Sequence, residues 1–280
     1  MLLTSENLFL FLLAFVWIVG AVIQDFKKRE VDNLWNFSLI AFALAYRLST
    51  SVFTNNYLFF INGLAGLLIF IVLGNLFYYS RLFAGGDAKL LISLGAVLPL
   101  SYDWIVNFKI FGFFILFFLT AGSLYVFIWA LFLIFKNTKG FLKESFIQFK
   151  KYKNSFYFAV FLAILWFFLV VVVGEFRFIF VSLVILLFPF LFVFSKAVEE
   201  SCMVKSLKPK DLTVGEWLYK DIVVAGRKIK ANWEGVSKAE LRWIRKHSKR
   251  KILVKQGIPF TPSFLFSLIL MIVVDFYGFF

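Results

Sequence analysis

Two aspartates stand where an apolar chain meets water. Asp25 directly follows the apolar run Asn7–Gln24, and Asp87 lies 62 residues later, in Ala84-Gly85-Gly86-Asp87-Ala88-Lys89. Two carboxylates held at neighbouring helix ends can do the chemistry of an aspartic peptidase. Close approach makes them share one proton, so one acts as an acid while the other activates water. Spacing alone leaves a structural reading open at each position, since Gly-Gly-Asp is a common turn and Asp a common helix N-cap. The rare residues narrow the field. With one Cys (Cys202) and one His (His247, in the run KHSKRK), the chain forms no internal disulfide and cannot build a four-ligand zinc site. No metal and no cofactor are expected. Catalysis would fall to carboxylates, Ser/Lys or Tyr.

The elements that must position these residues are membrane helices. Of the 280 residues 62% are hydrophobic, 21% aromatic and only 16% charged, with 42 Phe; a soluble globule of this size cannot hide that much apolar surface. A helix of about 20 apolar residues crosses a hydrocarbon core. Eight runs approach that length: Asn7–Gln24, Leu34–Phe53, Tyr57–Ser80, Ala88–Val106, Ile110–Phe135, Ser155–Gly174, Phe178–Ser195 and Phe260–Phe280. The expected fold class is therefore all-α, a polytopic membrane protein of about eight transmembrane helices. The second run is the weakest, because Arg47 sits near its end. The first begins with Glu6 and is followed, not preceded, by Lys27-Lys28-Arg29, so it does not read as a cleaved signal peptide.

The formal charge of +14 is one-sided. Taking alternate loops, 27 of the 30 Lys and Arg fall on one side, and only Arg47, Lys109 and Arg177 on the other. Basic loops face the cytoplasm. This places Asp25 and Asp87 together at the cytoplasmic face of the plasma membrane, with both termini outside. Nucleic acid, the other usual partner of such a charge, ranks well behind a membrane and is not expected. The expected organisation is a membrane core over residues 1–106, further helices and a basic loop over 107–195, a basic cytoplasmic segment over 196–259 and a last helix over 260–280.

The basic segment looks too small to fold on a core of its own. Within it Ser237-Lys-Ala-Glu240 reads as a capping box opening a helix through about Lys251. With Leu241, Trp243 and Ile244 among Arg and Lys, that helix suits docking on anionic lipid headgroups as well as it suits a solvated tether. At the site, Gly85 and Gly86 would let the backbone turn sharply and approach a substrate chain. Asp87 is expected at the N-cap of the fourth span and Asp25 at the C-terminal end of the first. The helix dipoles then make Asp87 the more readily ionised carboxylate and Asp25 the holder of the proton, with Lys27, Lys28 and Arg29 pulling the other way.

These residues resemble the type IV prepilin peptidases, the GxGD-type membrane aspartic peptidases. Asp25-Phe-Lys-Lys-Arg29-Glu-Val31-Asp-Asn33 is similar to their first motif, an Asp with a basic residue four on, then a β-branched residue, Pro and Asn. Ala84-Gly85-Gly86-Asp87-Ala-Lys89 resembles the second, GxGD with Lys two residues later. Lys255-Gln-Gly257-Ile258-Pro259-Phe260 is similar to the C-terminal region of archaeal members, preflagellin peptidases among them. Asp32 stands where the family has Pro, and Ala84 where GxGD has its first Gly, so the turn into the second span is expected to differ. The resemblance implies Asp25 and Asp87 as the catalytic pair. It implies Gly85, Gly86, Lys89, Arg29 and Asn33 as motif residues around the substrate's approach. The implied substrates are precursors with class III, prepilin-like signal peptides, cut at the cytoplasmic edge of their apolar helix. The bifunctional bacterial members carry a cysteine-rich loop after the first span; here that loop is short and has no Cys, so methyltransferase activity is not expected.

Other polar residues read as structure. Tyr102-Asp103 mimics the YD of presenilin-like peptidases but follows Asp87 in the chain and maps to the outside, so it reads as loop. Asp275 suits a structural or assembly role, and Glu30 and Asp32 read as solvated loop residues. Asn62, Asn75, Thr120 and Ser123 are expected to hydrogen-bond between helices, and Gly63 and Gly66 to let helices approach. The rival classes are a transporter or channel, and a membrane scaffold whose basic segment binds lipid. The first would place ionisable groups near the bilayer midplane, often in repeats. Here the mid-span positions are nearly all apolar and no repeat is seen.

Overall fold

A computed structural model describes residues 4–278. The helices are α1 (Ser5–Lys28), α2 (Asn33–Thr54), α3 (Leu58–Tyr79), α4 (Gly85–Leu94), α5 (Trp104–Lys136), α6 (Thr138–Lys151), α7 (Lys153–Val173), α8 (Ile179–Ser201), α9 (Lys238–His247) and α10 (Pro262–Phe276). Among the described residues six helical stretches are long and apolar enough to cross a membrane: α1, α2, α3, α5, α7, and α8 with the short turn before it. The last two residues of the run Phe260–Phe280 lie outside the described residues. The chain divides into two compact units, Met1–Phe127 with Ile258–Phe280, and Ile128–Gly257.

The first unit holds both aspartates. Its core is lined by the inward stripes of its helices. In α1 the stripe is Asn7, Phe11, Ala14, Ile18, Ala21 and Asp25, at alternating spacings of four and three. Asp25 is thus the next position of a packing face, which is why it is only 8% exposed. In α3 the stripe is Phe59, Asn62, Gly63, Gly66, Phe70 and Gly74, whose small residues admit neighbours closely. A Cβ on Gly66 would lie 2.5 Å from the carbonyl oxygen of Gly95, and one on Gly63 would meet the Arg47 side chain. Gly63 and Gly66 therefore do what the sequence led us to expect. Of the four polar residues expected to bridge helices, Asn62 reaches out, to the Ser101 carbonyl at 3.1 Å, while Asn75, Thr120 and Ser123 bond within their own helices.

The fourth apolar run is not one helix. α4 has ten residues, about 15 Å of rise, and ends at Leu94. Gly95 is pressed against Phe70 and Gly66 of α3, and Pro99 bars further helix. The strand of coil that follows is buried, with Ala96 and Leu98 wholly enclosed. Irregular backbone among apolar helices needs its polar groups satisfied within the protein. Arg47 of α2 does this. Fully buried, it donates to the carbonyls of Ala96 (2.9 Å), Val97 (3.0 Å) and Pro99 (2.6 Å), and to Phe59 at 2.9 Å, and lies over the Phe59 ring. The charge that made the second run look weak is the cap of the broken helix.

The second unit contains α6, α7, α8 and a small β-containing region. There β1 (Val204–Leu207) and β2 (Trp217–Leu218) flank β5 (Ile252–Lys255) in an antiparallel sheet, and β3 (Ile222–Val224) pairs with β4 (Arg227–Ile229). This corrects the expectation that the basic segment has no core. Leu212, Leu218, Val224, Ile229, Val236, Leu241, Ile244, Ile252 and Val254 form one. α9 opens on the expected capping box, with both halves formed between Ser237 and Glu240, but it ends at His247 rather than near Lys251, because β5 begins at Ile252. Its apolar face is spent inside the segment: Leu241 and Ile244 are buried, and the Trp243 indole donates to the Val224 carbonyl.

Candidate active site

Asp25 closes α1. The helix ends on Arg29, which takes the left-handed conformation (φ 60°) and donates its backbone N–H to the Asp25 carbonyl. Three residues on, Asp32 is the N-cap of α2 with φ −61°, the angle a proline would impose. The expected difference at this turn lies elsewhere, in an N–H that Pro lacks. Asp32 donates it to the Gln24 side chain at 2.9 Å, and its carboxylate pairs with Lys28 at 3.3 Å on the surface. Across this end of the unit the indoles of Trp17 and Trp35 stack at 5.2 Å and each donates to the other residue's carbonyl. They lock α1 to α2 next to the turn.

Asp87 opens α4, but not as its N-cap. Ala84 is the N-cap, in extended conformation (φ −69°, ψ 160°), so Asp87 is the third residue of the first turn. The Ala84 N–H lies near enough to the Asp87 carboxylate to favour its charged form. The negative φ at Ala84 also explains why the first Gly of the motif is dispensable. Asp87 precedes the fourth apolar run and is partly exposed over the whole residue. Burial of its carboxyl pushes the pKa up to about 7; the neighbouring Asp25 carboxylate adds to the rise, and the Ala84 N–H opposes it.

The fold thus brings Asp25 and Asp87 within electrostatic reach of each other. It also joins two of the other motif residues, since Lys89 donates to the Asn33 side chain at 2.7 Å, tying the start of α4 to the start of α2. Gly86 lies over Val31, the β-branched residue of the first motif, with room for a Cβ 3.5 Å from the nearest atom. Gly85 is more open, its would-be Cβ 3.8 Å from the Tyr78 ring. Neither glycine has a positive φ. Asp103, by contrast, caps the start of α5, accepting the Ile105 N–H at 2.8 Å, while Tyr102 bonds Glu6.

One residue of the site was not anticipated. Thr261, wholly buried at the start of α10, donates its hydroxyl to Asp25 Oδ2 at 2.9 Å and its backbone N–H to the same oxygen at 3.3 Å. An oxygen that accepts a backbone N–H does not carry the proton. Burial outweighs the helix dipole at Asp87, the carboxylate expected to ionise more readily. The start of α10 also faces Asp25, so the ends of α1 and α4 are not the only helix ends at the pair. The sequence signal for Thr261 was a Thr-Pro step opening the last apolar run. The Tyr125 hydroxyl of α5 is a second neighbour, interacting electrostatically with Asp25 and Arg29. Among the described residues no three His, Cys, Asp or Glu side chains converge as metal ligands.

The stretch holding both aspartates matches a known family. Residues 10–135 match the type IV leader peptidase family. The chain is also similar, over part of its length, to three preflagellin peptidases. It is 36% identical to that of Methanococcus maripaludis over 90 residues, 30% of this chain and 38% of the relative. It is 33% identical to that of Methanocaldococcus jannaschii over 89 residues, again 30% and 38%. The Methanococcus voltae protein is 30% identical over 79 residues, 28% of this chain and 34% of the relative. The chain therefore spans little more than a third of the length of the curated relatives it matches. No solved structure matches it significantly.

Proposed function

We propose that this chain is a membrane aspartic endopeptidase that removes the short basic leader from prepilin-like or archaellin-like precursors at the cytoplasmic membrane face. The observation that carries the reading is that Asp25 of α1 and Asp87 of α4 lie within electrostatic reach of each other. The preflagellin peptidase relatives support the substrate class, precursors with class III signal peptides. The one-sided distribution of Lys and Arg supports a plasma-membrane protein with both termini outside and the pair at the cytoplasmic side. The catalytic work lies in the first unit. Anionic lipid headgroups would supply counter-charge to the basic segment and its lysine-rich neighbours.

In this mechanism a water held between the carboxyls attacks the scissile carbonyl. Asp25 accepts the water proton while Asp87 donates its own to the carbonyl oxygen, giving a gem-diol; as the C–N bond breaks, Asp25 passes the water proton to the leaving amine and a gem-diol hydroxyl returns one to Asp87, restoring the pair. A helical substrate presents a fully hydrogen-bonded backbone, so the bond to be cut must unwind at the aqueous end of its helix. Lys89, held by Asn33, and the open backbone at Gly85 and Gly86 border the path of that extended segment.

Purified protein in bilayer discs, mixed with a candidate archaellin or prepilin precursor, tests the reading by mass spectrometry of the released leader. Absence of any cut across a panel of such precursors would overturn it. The rate carries a pH signature. Asp87 acts as an acid only while protonated, so cleavage is expected to fall about tenfold per pH unit as pH rises above about 7. A profile flat from mildly acidic to alkaline pH contradicts that role. Gly86→Ala separates substrate approach from folding. The resting fold has room for the methyl, and Ala in a first helical turn is tolerated or stabilising by up to about 1 kcal/mol. Its thermal midpoint should hold while kcat/KM falls at least about tenfold. Unchanged cleavage would show that the strand does not pass over Gly86.

A further inference from the structure

The link between Asp25 and Thr261 joins residues 236 apart in sequence. Both donors of Thr261 go to Oδ2, and among the described residues Oδ1 of Asp25 accepts no hydrogen bond. A carboxylate with one oxygen held twice cannot rotate freely about its last bond, and it presents the other oxygen in a fixed direction. We propose that Thr261 is a positioning residue for the reaction: it clamps Oδ2 of Asp25, leaving Oδ1 as the oxygen that handles the attacking water. The inference rests on the peptidase reading above.

The surroundings of Thr261 are built to hold it still. Pro259 and Pro262 bracket it, and Pro262 begins α10. Phe260, next to it, packs against Phe118 of α5 at 5.2 Å and against Phe83 at 6.0 Å, and Phe83 lies just ahead of the Ala84–Asp87 turn. The start of α10 therefore touches both carboxylate-bearing segments, Asp25 through Thr261 and the approach to Asp87 through Phe260. Gly122 lets α5 close on this joint; a Cβ there would lie 3.0 Å from Ser263 Oγ and 3.1 Å from the Phe260 ring. The charged and titratable groups around Asp25 are Asp87 from α4, Tyr125 from α5 and Arg29 from the turn after α1. Neither the first turns of α10 nor those of α2 add another.

Thr261→Ser and Thr261→Ala test the clamp as a pair. Both delete the same methyl, and only Ser keeps the hydroxyl. With a precursor the wild type cuts, Ser should retain kcat within about twofold. Ala and Thr261→Val should lose about tenfold or more in kcat with KM nearly unchanged, because the bond acts on the reacting group and not on substrate binding. A merely structural bond predicts otherwise: Ser and Ala would fall together, or KM would rise with kcat intact. Either result overturns the proposal, as does a Val variant that cuts at the wild-type rate. If Val fails to fold, as judged by size-exclusion profile and melting, the Ser and Ala comparison still decides. A wild type that cuts no precursor would instead be the failure of the peptidase reading itself, so the two failures are told apart.

Discussion

Asp25→Asn and Asp87→Asn should each give a protein that inserts and folds yet leaves its precursor uncut, while Asp103→Asn cuts as wild type. Asn keeps the size and planarity of the carboxylate, so Thr261 keeps an acceptor at position 25 and the first turn of α4 keeps a polar side chain at position 87. What is lost is the ability to take or give a proton. General acid or base catalysis by one positioned group is worth about 10²–10⁴ in rate, and in the proposed mechanism both groups serve one water, so either single loss should cost at least that. The double variant should be little worse than either single one, since groups that act as a unit are not additive. Asp103 is the control because it is also an aspartate at a helix start, but it is engaged in capping α5. Co-expression with a precursor, read by the mobility of the processed product, checks all four proteins at once. Processing that survives loss of either Asp25 or Asp87 removes the assignment. A wild type that instead moves a solute across liposomes without cleaving would make it a transporter.

Replacing Arg47 should be the most damaging single change to the fold. Its guanidinium covers four backbone carbonyls, three of them in the buried coil after α4. Each buried group left unpaired costs about 1–3 kcal/mol, so Arg47→Met should destabilise by at least about 4 kcal/mol. That is much of the 5–15 kcal/mol, roughly, that holds an ordinary domain together. The expected result is poor yield and no monodisperse peak in detergent. Arg47→Lys should recover little. Its ammonium is a compact group on a flexible stem and cannot spread five donors over carbonyls in fixed directions. A melting curve for Arg47→Met close to wild type would mean that the coil finds its partners elsewhere. The consequence for the site is direct, because the same coil holds α4, and with it Asp87, at its depth against α3.

Much of this protein is legible in its amino acids. The period of small and apolar residues in α1 continues onto Asp25, so the inward direction of that carboxylate is written locally. The motif order, the glycines before Asp87, the capping box at Ser237 and the one-sided charge are likewise short-range patterns, and such patterns survive without knowledge of the partner helices. Arg47 shows the limit. In sequence it is a charge that weakens an apolar run; in the fold it is a cap, because three of its four acceptors lie 49 to 52 residues away on a segment whose helix has broken. The core of the basic segment was missed for a similar reason. Strands of two to four residues leave almost no periodicity, and their pairing joins positions some 50 residues apart.

The sequence by itself determined that this is a membrane protein with two carboxylates at matching helix ends, since hydropathy and charge are sums over nearby residues. Only the tertiary structure decided how those carboxylates differ. The hydrogen bonds of each depend on which donors converge on its oxygens. For Asp25 the deciding donors are the N–H and hydroxyl of Thr261 at the far end of the chain, which no local pattern could have brought there.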